Sequence, residues 1–384
     1  MFKDRHIHTL QWFLGSLLMV LLTACSSSED GGDGVAKQPT LTIYVYSPER
    51  PAVPNRHAPL RRAETGNVET VGDESTIHSL QIWVYESENK ALVGYLDTED
   101  VTTLNMGEGA TYQLPVSDDF ASRKPSVNVY VQANVKAANC GVGELNDATT
   151  HTALLDGAKI TSTHFGLSPL VQTVPDEGLP MAGMLSVQPV VGEAPALRVG
   201  TLSKVATVPL TRAVSKLRFV FAKATGQPAV KIKSITMNAG MIPDVEYFFQ
   251  TPAVAYNTTE AALLPATITD IAAKDNPTAY IYFDQEAQAY EDLINGAGLT
   301  VHGPIYLRES DKQLAGTITY QIGEGADQTV DFQMQQAGDF LRNHTWIVYI
   351  YFMDSTVHVL TITDIGVKNW VLDPEEEDVT FHNW

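Results

Sequence analysis

Short segments in which apolar and polar residues alternate dominate this chain, and no long stretch repeats apolar residues with the 3.6-residue period of a helix. Leu41–Tyr46 (LTIYVY) and Val127–Ala133 (VNVYVQA) are typical examples. Gly, Pro and Asn residues separate such segments, as they do at the turns between strands. Because successive side chains on a strand point to opposite faces, the pattern predicts an all-β protein.

The number of these segments predicts two domains. Further strands are expected at 77–85, 92–96, 111–116, 127–133, 184–191, 206–210, 215–221, 231–238, 279–283, 300–307, 314–322, 329–334, 346–353, 357–363 and 367–371. A short helix is expected near Thr149–Leu155. Roughly 320 folded residues favour two tandem β-sandwiches, Ig-like or transthyretin-like, with minor helix. We expect the N-terminal sandwich at 63–205 and the C-terminal one at 206–384.

The first 24 residues have the pattern of an export signal that ends at a cysteine. Lys3 and Arg5 precede a short apolar run, 10–22, which is too short for a stable membrane span. Leu22-Thr23-Ala24-Cys25 then matches a bacterial lipobox, in which the thiol of Cys25 accepts a diacylglycerol. The alternative is an ordinary signal peptide with a cysteine there by chance. The lipobox interpretation predicts an outer-membrane lipoprotein precursor with a Ser/Gly-rich tether.

A proline- and arginine-rich segment follows the first predicted strand. In that strand, Leu41, Ile43 and Val45 form one apolar row. The prolines exclude a helix or a central strand from the segment itself. Its prolines and arginines are Pro48, Pro51, Pro54, Pro59, Arg50, Arg56, Arg61 and Arg62. Residues 25–62 are therefore expected to be a lipidated tether, one strand and an accessible linker.

Composition and motifs argue against several classes of function. The formal net charge of −20 and a pI near 4.8 make nucleic acid an unfavourable partner. The chain has no motif for a catalytic triad, a zinc protease or a phosphate-binding loop. Cys140 is expected in the core, while His151, His164 and Asp118-Asp119 are expected in loops. No catalytic residue, metal site or cofactor is therefore predicted.

Several motifs together resemble the fimbrillin family of Bacteroidales, the subunits of lipoprotein-derived fimbriae. Besides the lipobox and the arginine-bearing segment, four motifs occur in the family's order. These are Leu179-Pro180-Met181-Ala182-Gly183, Thr211-Arg212-Ala213-Val214-Ser215-Lys216-Leu217, Leu341-Arg342-Asn343-His344-Thr345-Trp346 and Gly366-Val367-Lys368-Asn369-Trp370. Ser215 and Trp346 replace the family's usual Ala and Tyr, and both residues are compatible with a strand.

The resemblance implies a route of assembly. Fimbrillins reach the outer membrane as lipoproteins, and an arginine-specific protease then removes the lipid together with the first strand. The vacated groove accepts a strand from a neighbouring subunit, which is donor-strand exchange. For this chain we expect cleavage after Arg62, or else Arg61, with Arg50 and Arg56 as further exposed candidates. Cleavage would remove the strand that carries Leu41, Ile43 and Val45. The C-terminal segment with Val379, Phe381 and Trp384 is the expected donor, or else an ordinary last strand.

The predicted function is therefore that of a cell-surface fimbrial subunit that supports adhesion. Its expected partners are other fimbrial subunits, the protease and a ligand on a host or bacterial surface. The alternative is a surface lipoprotein that stays anchored to the outer membrane and binds a glycan or host ligand. An enzyme, such as a glycan hydrolase, ranks third, because that function needs a carboxylate pair at glycosidase spacing. Stalk, tip and accessory subunits are not distinguished by these motifs.

Overall fold

Strands account for most of the regular structure in the computed structural model of this protein. The model describes residues 39–46, 74, 76–101, 109–187, 189–191, 196–201, 204–205, 207–281, 292–293, 296–334, 337–338 and 340–366. Within these ranges the chain forms three short α-helices, α1 (Asp118–Arg123), α2 (Ala137–Cys140) and α3 (His151–Gly157). The predicted all-β class with minor helix is confirmed.

The strands of the first half occur in the following order: β1 (Thr40–Tyr46), β2 (Leu80–Glu86), β3 (Leu92–Thr98), β4 (Gly109–Pro115), β5 (Val127–Ala133), β6 (Lys159–Ile160), β7 (Met181–Val187), β8 (Pro189–Val191), β9 (Ala196–Thr201), β10 (Lys204–Val205), β11 (Thr207–Pro209) and β12 (Thr211–Arg212). The second half has β13 (Ser215–Ala224), β14 (Val230–Met237), β15 (Glu246–Tyr247), β16 (Ala261–Ala262), β17 (Ala273–Lys274), β18 (Thr300–Leu307), β19 (Ala315–Ile322), β20 (Gln328–Gln333), β21 (His344–Met353) and β22 (Thr356–Gly366).

The first half folds as two facing sheets. One sheet has the order β10-β9-β1-β11, with β4 paired to β1 and β8 paired to β9. The other has the order β12-β7-β5-β2-β3. The core between them is built from alternate residues such as Ile43 on β1, Ile82 on β2 and Val129 on β5, all fully buried. The alternation seen in the sequence therefore places one apolar row of each strand in this core.

The second half repeats this architecture with different strands. One sheet has the order β17-β13-β21-β22, with β18 paired to β13, and the other has the order β16-β14-β19-β20. Their shared core contains Phe219, Ile232, Ile318 and Phe332, and the rings of Phe219 and Phe332 meet edge to face at 5.3 Å. β13 and β21 are parallel, while most other pairs in this half are antiparallel.

Two further apolar clusters cover the outer faces of the inner strands. Trp83, Tyr85 and Tyr130 point away from the first core and are covered by the segment 134–178. On the second half, Val220 and Tyr349 are covered in the same way by Ala279, Tyr280 and Leu293. These strands are buried on both faces, which explains the continuous apolar run Phe219–Ala222 in β13.

Three sequence-based expectations about local structure are wrong. The segment predicted as a strand at 279–283 is, in its described part, a 3-10 helix, Pro277–Ile281. Its alternating apolar residues contact the outer face of β21, where Tyr349 donates a hydrogen bond to the Pro277 carbonyl at 2.9 Å. Asp118 and Asp119 lie in the first turn of α1 rather than in a loop. Their negative charges interact favourably with the positive end of the helix dipole there. His151 is the first residue of α3.

The domain boundaries stay a prediction, and the strand pairing describes the transition in detail. β11 pairs with β1, and β12 pairs with β7, so residues as far as Arg212 belong to the first pair of sheets. β13 starts at Ser215 and belongs to the second pair. Among the described residues, no helix has the length and apolarity needed to cross a membrane.

A matched pair of leucine substitutions tests the second core. Leu217→Ala removes a fully buried side chain and is expected to lower the free energy of unfolding by about 2–5 kcal/mol. Leu341→Ala removes the same atoms from a side chain that is 41% exposed, and a change within about 0.5 kcal/mol is expected. Chemical denaturation measures both values. Equal losses at the two positions would contradict the packing described.

Candidate functional site

The strand β1 lies in the interior of its sheet. Along one edge it pairs antiparallel with β4 over its whole length, from Thr40 opposite Pro115 to Tyr46 opposite Gly109. Along the other edge its first three residues pair in parallel with β9, and its last three pair in parallel with β11. β1 therefore lies between β4, near residue 112, and two strands, β9 and β11, that come more than 150 residues after β1 in the chain.

The inward face of β1 fills part of the first core. Leu41, Ile43 and Val45 are all fully buried, and they belong to the same apolar cluster as Leu80 and Val127 of the facing sheet. Burial of each such side chain contributes roughly 1.5–3 kcal/mol. The apolar row predicted from the sequence is therefore the row that enters the core. Its role in exchange stays a prediction.

Loss of β1 would expose both polar and apolar groups. The inner edges of β4, β9 and β11 would each carry backbone N–H and C=O groups without strand partners. The floor between these edges would consist of the side chains of β2 and β5 that belong to the same apolar cluster as Ile43. A groove of this kind fits an extended segment whose alternate residues are apolar, because main-chain hydrogen bonds and side-chain pockets then act together.

The other predicted site residues lie outside the described part of the chain. These are the lipidation residue Cys25, the cleavage residues Arg61 and Arg62, and the donor residues Val379, Phe381 and Trp384. Val367–Val371, a predicted strand, lies outside it as well. The assignments at these positions therefore rest on the sequence.

Three of the motifs that carry the family resemblance meet where the two halves join. The backbone N–H of Asn343 donates to the Val214 carbonyl at 2.9 Å, and the Ser215 hydroxyl donates to the Leu341 carbonyl. The third motif joins them through the backbone N–H of Ala213, which donates to the Pro180 carbonyl at 2.8 Å. Gly183 of this motif lies against the Pro209 carbonyl, and a Cβ atom there would come within 2.2 Å of that oxygen. Glycine is thus required at 183, because β7 and β11 approach each other closely.

Side chains of the second half form a buried ionic cluster at the same junction, and one of them binds backbone carbonyls of the first half. The short strands β6 and β15, one from each half, pair with each other. Arg342 lies 3.2 Å from Glu246 Oε1 and 3.1 Å from Glu309 Oε1. Arg308 donates from Nε to the Pro243 carbonyl at 2.7 Å and from Nη1 to the Thr161 carbonyl at 2.9 Å. Sequence patterns singled out Arg342, which belongs to one of the family motifs, but gave no signal for its partners Glu246 and Glu309.

Burial sets the ionisation of this cluster. Glu246 is 5% exposed and shares Arg342 with Glu309, so desolvation raises the pKa of Glu246 to about 8 despite the nearby guanidinium groups. Arg342 and hydrogen bonds to it hold the pKa of Glu309 below its usual value. One cation thus faces two carboxylates, and Glu246 is the one that retains its proton near neutral pH.

The remaining titratable candidates have structural surroundings. Cys140 is fully buried, as predicted, and burial raises the pKa of its thiol, which makes a reactive thiolate unfavourable. His151 Nε2 lies 2.9 Å from the Tyr130 hydroxyl, and His164 Nε2 lies 3.1 Å from the Ala138 carbonyl. Among the described residues, no group of three or more His, Cys, Asp or Glu side chains could hold a metal ion.

The raised pKa of Glu246 predicts a pH dependence of stability. Between about pH 5 and pH 8 the folded protein keeps a proton on Glu246 that the unfolded chain has released, so stability falls as pH rises. Glu309, whose pKa is lowered, is ionised in both states over this range. Glu246→Gln should remove the decline, and the exposed Glu324→Gln should not. Melting temperatures measured from pH 5 to pH 8 test this, and parallel curves for the wild type and Glu246→Gln would contradict it.

Comparisons with known proteins agree with this architecture. No curated protein sequence is significantly similar to the chain. A crystal structure of a candidate cell adhesion protein from Parabacteroides distasonis is 14% identical, with a TM-score of 0.50, and the match covers 87% of this chain and 99% of that one. At this identity the similarity establishes the fold.

Two further solved structures are similar at lower scores. A fimbrial assembly protein from Parabacteroides distasonis is 12% identical over 85% of this chain and 96% of its own, with a TM-score of 0.44. The tip fimbrial protein Mfa3 from Porphyromonas gingivalis, with a C-terminal truncation, is 12% identical over 85% and 99%, with a TM-score of 0.40.

The family match is carried by the segment from the arginine-rich linker to β12. Residues 57–212 match the model of the major fimbrial subunit protein FimA. The match supports the expectation of a structural protein of the cell surface over that of an enzyme. This match agrees with the resemblance seen in the sequence: residues 57–212 are similar to the major fimbrial subunit protein FimA.

Proposed function

We propose that this protein is a fimbrial subunit that polymerises by exchange of β1 for a strand of a neighbouring subunit. The observation that carries the proposal is the position of β1, an inner strand whose three inward side chains are fully buried. The predicted cleavage residues Arg61 and Arg62 lie between β1 and β2 in the sequence. A cut there would leave β1 held by hydrogen bonds and apolar contacts alone.

Delivery to the cell surface would depend on Cys25. Acylation of its thiol would hold the precursor on the outer membrane, since a diacylglycerol chain pair anchors a protein stably. Cleavage after Arg62, or after Arg61, would separate the lipid, the tether and β1 from the rest of the chain. The lipid would therefore act before assembly, and its removal would coincide with the loss of the covalent link to β1.

The C-terminal segment supplies a strand suited to the vacated groove. In an extended strand Val379 and Phe381 would lie on one face of this short alternating segment, and Thr380 on the other. The acidic run 375–378 before it favours an extended chain through charge repulsion. An incoming strand of this kind would restore main-chain hydrogen bonds to β4, β9 and β11. The resulting fibre would present the subunits for adhesion to a host or bacterial surface.

Proteolytic trimming tests the assembly step. The untrimmed lipoprotein is isolated from outer membranes and incubated with an arginine-specific protease. Its oligomers are followed on gels without heating. A ladder of oligomers and a new N-terminus at Ala63 or Arg62 are expected. The double variant Arg61→Ala, Arg62→Ala should lack these N-termini, and a variant that also carries Arg50→Ala and Arg56→Ala should form no ladder. A wild-type chain that is cut at these sites and stays monomeric would overturn strand exchange.

A matched pair of variants tests the donor in the same assay. Phe381→Asp would place a charge on the apolar face of the segment, and we expect the ladder to be lost. Thr380→Asp would place the same charge on the other face, and we expect the ladder to remain. Equal behaviour of the two variants would exclude the C-terminal segment as the donor.

Replacement of the lipidation residue tests the export route separately. Cys25→Ser retains a similar size but removes the thiol, so incorporation of labelled palmitate should fall to background. The protein should also leave the outer-membrane fraction, as measured by fractionation and immunoblotting. Cys140→Ser serves as the control and should retain the label, because Cys140 is buried in the fold. Undiminished label in Cys25→Ser would refute the assignment.

A further inference from the structure

The carboxylate of Glu74 lies in a buried polar site between the two halves of the molecule. Lys216 Nζ is 2.9 Å from Glu74 Oε1 and 3.1 Å from Oε2, and the Tyr306 hydroxyl donates to Oε1 at 2.6 Å. Arg212 Nη1 donates to the Glu74 carbonyl at 3.5 Å. All four side chains belong to residues that are less than 9% exposed. Such close and charge-assisted bonds make the site specific for one carboxylate.

The partners of Glu74 come from strands that meet at the junction. Arg212 is on β12, Lys216 is on β13 and Tyr306 is on β18. Arg212 and Lys216 also belong to one of the motifs that resemble the fimbrillin family. Glu74 therefore contacts residues at the transition from the first pair of sheets to the second, and these residues are distant from Glu74 in the sequence.

A second set of hydrogen bonds fixes the residues that follow Glu74. Asn134, fully buried, donates from Nδ2 to the Thr76 carbonyl at 2.8 Å and accepts from the His78 backbone N–H at 2.7 Å. The Asn134 backbone N–H donates to the Ser79 carbonyl at 3.1 Å. Gly178 allows this arrangement, since a Cβ atom there would come within 2.4 Å of Asn134 Nδ2. The chain is thus held from Glu74 to the start of β2.

We propose that Glu74 is an anchor. Its buried contacts hold β2 and the rest of the fold in place when β1 is removed. The inference rests on the proposed function, because it concerns what remains after the cut at Arg61 or Arg62. β1 and β2 face each other across the first core, so loss of β1 alone could loosen the beginning of β2. The Lys216–Tyr306 site holds the chain six residues before Leu80, the first residue of β2. The loss of structure that follows removal of β1 therefore ends at Glu74, and the side chains that form the floor of the groove keep their positions.

A protease specific for glutamate provides the test, since cleavage after Glu74 requires release of the buried carboxylate. In the untrimmed wild-type chain this cleavage should be slow. Lys216→Met should accelerate it roughly 100-fold, because the carboxylate then lacks its buried cation. Lys231→Met, at an exposed ion pair with Glu324, is the matched control and should leave the rate unchanged. Mass spectrometry of fragments that begin at Ser75 measures the rate.

A second cleavage site and a milder variant keep the test decisive. Glu86, 7% exposed on β2, reports global unfolding, so its cleavage should stay slow in Lys216→Met. If cleavage there rises too, Tyr306→Phe decides, because it keeps the ring and removes one hydrogen bond, with an acceleration at Glu74 of roughly tenfold expected. Unchanged cleavage after Glu74 in both Lys216→Met and Tyr306→Phe would overturn the anchor.

The outcome separates the anchor from the proposed function. The same rates are measured after trimming with the arginine-specific protease, and the anchor predicts that Glu74 stays protected as long as Lys216 is present. Protection without a ladder of oligomers would refute strand exchange and leave the anchor standing. A ladder with rapid cleavage after Glu74 in the trimmed wild type would refute the anchor and leave strand exchange standing.

Discussion

The backbone hydrogen bonds along both edges of β1 are the constraint on which the first sandwich depends. A strand in the interior of a sheet satisfies its neighbours as well as itself, and β1 does so for β4, β9 and β11 together. Its inward face also completes the core against β2 and β5. A fold with such a strand next to its N-terminus needs either that strand or a substitute. Exchange between subunits is one way in which the need is met.

The junction between the halves combines apolar contacts, such as that of Tyr130 with Phe249, with two buried polar clusters. Glu246, Glu309 and Arg342 form one buried cluster, and Glu74 with Lys216 forms another. Buried charges of this kind contribute little net stability compared with apolar packing, but removal of one partner is costly. These clusters therefore act by fixing the relative positions of the strands, since the ion pairs and hydrogen bonds of each cluster all form in one arrangement of the strands. A subunit that carries load along a fibre would benefit from a joint defined in this way.

The sequence predicted the strands well, because a strand that is buried on one face has apolar residues at every second position. Val127–Ala133 and Thr300–Leu307 were located to the residue, and α3 was expected within two residues of its start. The failure at Pro277–Ile281 has a physical cause. Ala279 and Tyr280 are buried against a sheet face, and short apolar segments give the same signal whether they are strands or a single helical turn.

What the sequence by itself determined is the class of fold, the apolar row Leu41, Ile43, Val45 and the order of the family motifs, since alternation and motif spacing are properties of the chain alone. Only the tertiary structure decided that β1 lies between β4 and two strands from near residue 200, and that Glu74 is bound by Lys216 and Tyr306. The physical reason is that strands pair through backbone groups, which are alike in every residue, so that side-chain patterns indicate which face is buried without specifying the partner.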